Sequence, residues 1–139
     1  MTVKDYLRQY ERAVRKVERL ETEYLKEKNL IDALNDSLGG DGTPHSSAIS
    51  NSTEQKALRL SDKLLELEDA KIQAIEVRQE IFDTIEAVPD MMGEVLYKRY
   101  IELKRWWQIA DELNYSERQT QRIHQDALLY LKDVIECHN

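Results

Sequence analysis

Apolar residues recur along the chain with helical period. Val3, Tyr10, Val17, Tyr24, Ile31 and Leu38 lie seven apart, and Tyr6, Ala13, Leu20, Glu27 and Leu34 each follow three residues later. This is an a/d seam with one polar break at Glu27, and it predicts a helix over about residues 3–38. Leu7 and Val14 widen the stripe, which favours packing in a hairpin or bundle over a simple two-stranded seam. Gly39-Gly40 is a helix stop signal. The stretch 39–52, with Asp41-Gly42, Thr43-Pro44 and a Ser/Asn-rich run, reads as a mobile loop or a binding loop, with mobility favoured.

Ser52 and Gln55 fit a capping box, so a second helix is expected from about Thr53 to Val88. Leu60, Leu67, Ala74, Ile81 and Val88 again lie seven apart. Leu64 and Ile85 supply the other seam position, and Lys71 and Arg78 interrupt it. Those two cations either snorkel or face Glu27 and its neighbours. Leu58, Leu65, Ile72, Ile75 and Phe82 broaden the stripe. Two helices of matching length joined by a loop predict a long antiparallel coiled-coil hairpin over residues 1–89.

Pro89 ends the second helix, because proline disfavours helical geometry in the residue before it. A third helix is expected over about Asp90–Glu102, with Met92, Val95, Leu96, Arg99 and Tyr100 at helical spacing. Trp106–Leu113 reads as a fourth, on which Ile109, Ala110 and Leu113 share a face. Of the adjacent Trp106 and Trp107, one belongs in the core, and the other is either core or surface. Asn114 suits a left-handed helix end. Ser116 can cap the next helix by accepting from the N–H of Arg118 or Gln119. In that helix Thr120, Ile123, Ala127, Leu128 and Leu131 share a face. The pattern predicts a helix-turn-helix within a second domain, residues 90–139, of an all-α protein.

The other face of the last helix carries Glu117, Arg118, Gln121, Arg122 and Gln125, with Gln119 and His124 at its borders. Arg pairs bidentately with guanine edges and Gln with adenine edges, so this face suits the major groove. A solvated polar face is the plainer alternative.

Composition limits the choices. Charged residues make up 34% of the chain, with four Gly, two Pro and one Phe, the profile of a helical, partly coiled-coil protein. No apolar run approaches the roughly 20 residues of a membrane span. The charged N-terminal stretch is unlike a signal peptide, and the single Cys137 excludes an internal disulfide, so an intracellular location is expected. The net charge of −7 argues against strong non-specific DNA binding. The helix-turn-helix segment is not basic overall, and its positive charges are local: Lys98, Arg99, Lys104, Arg105, Arg118 and Arg122. No catalytic constellation is visible. His45, His124 and His138 are scattered, Cys137-His138 has no second ligand pair, and no Gly-rich phosphate loop occurs. The chain therefore reads as a non-enzyme without metal or cofactor.

The run EVLYKRYIELKRWWQIADELNYSERQTQRIHQDALLYL, Glu94 to Leu131, resembles region 4 of sigma-70-type factors. The elements that carry the resemblance are Arg99-Tyr100, Ile109-Ala110 to Leu113, Ser116, and Arg122-Ile123 to Leu131. Taken whole, including the GTP-containing loop and the KALRLSDKLLELE stretch, the chain resembles small phage and prophage regulators related to the ArpU-type late transcriptional regulators. Arg105, Tyr115 and Thr120 depart from the pattern: Arg105 stands at a cap position usually held by Ser, Thr or Asp. The resemblance implies a sequence-specific DNA-binding regulator acting in the cytoplasm of a bacterial host. Glu117, Arg118, Gln119, Gln121, Arg122 and Gln125 would meet the DNA, with Arg99, Lys104 and Arg105 near the phosphates. The hairpin would supply homodimerisation or a contact to RNA polymerase or a sigma factor. The alternative is a protein-binding module that docks on such a partner without touching DNA. A purely structural coiled-coil role is the third reading.

Overall fold

The computed structural model describes the backbone of residues 1–38 and 47–138 and the side chains of residues 1–36 and 53–136. It is all-helical, with no strand among the described residues. The helices are α1 (Val3–Leu7), α2 (Gln9–Leu38), α3 (Ser47–Glu86), α4 (Asp90–Leu96), α5 (Trp106–Leu113) and α6 (Glu117–His138), with a π-helical turn at Tyr97–Ile101.

The boundaries differ from the expected ones in three places. A single turn residue, Arg8, separates α1 from α2. The second long helix begins at Ser47, so Ser52 lies inside it and its capping box with Gln55 does not start the helix. The helical residues 47–52 also shorten the expected loop; residues 39–46 lie outside those described. The third helix stops short of Glu102. It passes into a π turn closed by Glu102 N–H donating to the Tyr97 carbonyl at 3.0 Å.

The chain forms two compact units, Met1–Val14 with Ala74–Asn139, and Arg15–Gln73. The expected boundary at Pro89 falls inside the first of these. The physical reason is a shared core: Leu7, Ile81, Ile85 and Val88 cluster with Leu96, Tyr100, Ile101, Ala127 and Leu131. Both ends of the sequence therefore build one hydrophobic centre. Tyr6 adds a polar tie, its hydroxyl lying 3.1 Å from Thr84 Oγ1 and donating to Glu80 Oε1 at 3.3 Å.

The turn between α3 and α4 depends on Pro89 and Gly93. Pro89 is extended (φ −78°, ψ 159°), as its ring geometry requires at a helix entry. A Cβ on Gly93 would lie 2.5 Å from the Val88 carbonyl oxygen, so only glycine allows this approach.

In the Arg15–Gln73 unit, Val17, Leu20, Tyr24, Glu27 and Ile31 are half-buried, in line with the seven-residue seam read on α2, whereas Leu34, expected at a seam position, is exposed. On α3 the inward positions are Leu60, Lys63, Leu67 and Ala70. Leu64 and Lys71, expected at the second seam position, are exposed instead. Glu27 therefore meets Lys63, at 2.6 Å, and not Lys71 or Arg78. Their mutual hydrogen bond holds the Lys63 ammonium above the usual lysine range.

Candidate nucleic-acid interface

The residues proposed to read DNA sit on α6, and their display depends on how α6 is started and anchored. Asn114 ends α5 in the left-handed region (φ 59°, ψ 38°). Asn tolerates this conformation better than other non-glycine residues. Tyr115 N–H then donates to the Ala110 carbonyl at 2.9 Å, closing the C-terminus of α5. Two residues later, Ser116 Oγ accepts from Gln119 N–H at 3.1 Å and caps α6. Thr120 is fully buried, and its hydroxyl donates to the Ser116 carbonyl at 2.9 Å, so this polar side chain enters the core without an unmet hydrogen bond.

Burial sorts α6 by face. Thr120, His124, Ala127 and Leu131 are buried, and Ile123, Leu128 and Val134 are half-buried. Glu117, Arg118, Gln119, Gln121, Arg122 and Gln125 are all exposed. Six of the nine sequence-derived candidates are thus exposed along α6, with Arg118, Gln121, Arg122 and Gln125 on one face and Glu117 and Gln119 on its two flanks. α4 and α5 both pack on α6, as does α1, so the helix is fixed on one side and open on the other.

His124 does not border that surface. It is buried at the centre of a small aromatic group. Its Nε2 is 2.6 Å from the Tyr100 hydroxyl, and its ring stacks on Tyr100 and meets Trp106 edge-on, with centroids 4.7 Å apart in the second pair. Burial drives the His124 pKa down to about 4 and the Tyr100 pKa up to about 12, so both partners are neutral at pH 7. The seven-residue periodicity could not reveal this histidine as core; the signal was its position four residues after Thr120 and three before Ala127.

The three remaining candidates are placed differently. Arg99 is half-buried. Its guanidinium lies 4.7 Å from the centre of the Trp106 ring and donates to the Lys104 carbonyl at 2.9 Å. It orders the turn before α5 through stacking and a hydrogen bond. Lys104 is held by two carboxylates, Glu102 at 2.9 Å and Glu112 at 2.5 Å. Lys98 joins the same group through Glu112 at 3.0 Å. Hydrogen bonds from Lys104 and Lys98 hold the Glu112 carboxyl below the usual range, and the Lys104 ammonium is raised by the same contacts. This cluster is locally neutral, so Lys104 offers little free charge to a phosphate. Arg105 is exposed at the N-cap of α5, where its backbone N–H donates to Gln108 Oε1 at 2.9 Å. The glutamine satisfies the N–H of Arg105 itself, not the free N–H groups of the first turn that a Ser, Thr or Asp side chain would accept from.

Trp106 is half-buried against His124 and Arg99, whereas Trp107 is 56% exposed. Of the adjacent pair only Trp106 is committed to the interior. Leu103, in the turn just before, takes a left-handed φ of 57°, which costs a non-glycine residue roughly 1 kcal/mol.

In comparison with known proteins, no family model, no curated protein and no solved structure matches the chain. Among the described residues no helix is long and apolar enough to cross a membrane.

Proposed function

We propose that the chain is a sequence-specific DNA-binding regulator of the phage type, with a sigma region 4-like helix-turn-helix carried by an antiparallel helical hairpin. The observation that carries the reading is the sorting of α6. Arg118, Arg122, Gln121 and Gln125, flanked by Gln119, stand on the open face of a helix whose other face is locked by Thr120, His124, Ala127 and Leu131. The left-handed Asn114 and the Ser116 cap support the motif assignment. Pairing of Tyr6 with Thr84 supports the hairpin, as does pairing of Glu27 with Lys63. In this reading α6 enters the major groove. Arg118 and Arg122 read guanine edges, the glutamines read adenine edges, and Arg105 takes a backbone phosphate. Arg99 and Lys104 serve the turn more than the phosphates.

A second reading is favoured by the neutralised Lys98–Lys104–Glu102–Glu112 cluster and by the net charge of −7. In it, the same module docks on RNA polymerase, a sigma factor or another protein without binding DNA. Arg122→Ala tests the first, and the absence of any DNA binding by the wild-type chain at low salt would favour the second. Under the DNA reading the substitution weakens binding to the cognate site by roughly 1–3 kcal/mol in a fluorescence-anisotropy titration. Unchanged binding would remove Arg122 from the interface.

A further inference from the structure

The outward face of α3 carries an apolar stripe that none of the described helices covers. Leu58, Leu65 and Ile72 lie seven apart and are 66%, 64% and 54% exposed, and Ile75, three residues after Ile72, is 69% exposed. At about 100° per residue this stripe points nearly opposite to the inward Leu60, Lys63, Leu67 and Ala70. It is a second heptad seam, with a at 58, 65 and 72 and d at 61, 68 and 75.

The flanking charges identify its occupant. Positions e are Asp62, Asp69 and Glu76, all acidic and exposed. Positions g include the cations Lys71 and Arg78. In an antiparallel pair of identical helices, e faces e, which would set these carboxylates against one another. In a parallel pair, g of one helix faces the next e of its partner. That arrangement brings Lys71 to Glu76 and Arg78 to Asp83 of the second helix, twice over by symmetry. We infer that this seam pairs with the same seam of a second copy of the chain, in parallel and in register. Ser61 and Glu68 occupy two of its d positions, which weakens the pairing and makes it reversible. Glu68 is partly neutralised by Lys71 of its own helix, 3.8 Å away.

The inference rests on and deepens the DNA-binding reading, because a dimer carries two copies of α6. It is tested without DNA, so that its failure and the failure of DNA binding are distinguishable. Sedimentation equilibrium on the full chain, between roughly 1 and 100 μM, should show a monomer–dimer equilibrium. Leu65→Glu and Ile72→Glu should each raise the dissociation constant at least roughly tenfold with helical content unchanged, and Glu68→Leu should lower it. In a Cys137→Ser background, Ser61→Cys and, separately, Ile75→Cys should each give a disulfide-linked dimer on mild oxidation, since parallel in-register pairing brings both d positions within reach, whereas an antiparallel pair can bring together at most one of them. A monomer across the whole range overturns the inference. So does a dimer that survives Leu65→Glu, or one that Ser61→Cys and Ile75→Cys do not both link.

Discussion

The two compact units are built on different principles. In the unit formed by Met1–Val14 and Ala74–Asn139, side chains such as Leu7, Ile81, Leu96, Ile109 and Leu131 are fully or almost fully buried. In Arg15–Gln73, only Leu67 and Ala70 are buried among the described residues, and several leucines face outward. The first unit fixes a small number of side chains in place. The second leaves large apolar side chains in solvent, Leu58, Leu65 and Ile72 among them. In the proposed function the rigid unit would aim α6 and the exposed stripe would serve assembly.

The largest difference between the units is expected in the core. Ile109→Ala should destabilise the chain by about 2–5 kcal/mol in urea unfolding, since it empties a fully buried site. Leu58→Ala, under conditions where the chain is monomeric, should change stability by less than about 0.5 kcal/mol. Equal effects would erase the distinction between the units.

Acid sharpens it next. His124 has a folded pKa of about 4, below its ordinary 6.5, because burial disfavours the imidazolium. Its neutral form contributes fully above pH 6.5. That contribution falls as the unfolded chain takes up a proton, and it is lost once the pH drops through the folded value. The loss approaches about 3 kcal/mol between pH 6.5 and 4. In a His124→Phe variant that dependence should vanish from a series of thermal melts. If the wild-type profile is unchanged by the substitution, the histidine is not the group responsible.

Gly93→Ala follows, at roughly 1–3 kcal/mol, because the added methyl meets the Val88 carbonyl and the backbone must shift. The smallest effect is at Asn114. Alanine there should cost about 1 kcal/mol and glycine almost nothing, because the requirement is a left-handed backbone and not an amide side chain. A calorimetric comparison of the two variants checks this; equal losses would show that the Asn side chain itself is needed.

Much of this was legible in the residues, for reasons that can be named. Seven-residue spacing located both long helices, and the Asn114–Ser116 chemistry located the turn between α5 and α6. Spacing pointed to Lys71 and Arg78 as possible partners of Glu27 and passed over Lys63, which makes the contact. Each lies within a helical turn of apolar positions, and only the rotation of α3 decides among them. The start of α3 was hidden for a related reason: Ser52 is a good cap by type, but a helix that has already begun at Ser47 makes no use of it. The exposed α6 residues were readable from periodicity. The engagement of Lys104 by Glu102 and Glu112 was not, because it joins residues on either side of a π turn and a left-handed Leu103 that no pattern announced.

In the proposed function the open face of α6 reads DNA. The most direct measurement is selection of bound fragments from the source genome by the full chain, repeated with the Arg118→Ala/Arg122→Ala double variant. The account predicts that the wild-type chain enriches a discrete set of fragments sharing one sequence motif, and that the double variant, equally stable, enriches none. Failure of the wild-type chain to retain any fragment at low salt would contradict it and favour the protein-docking reading.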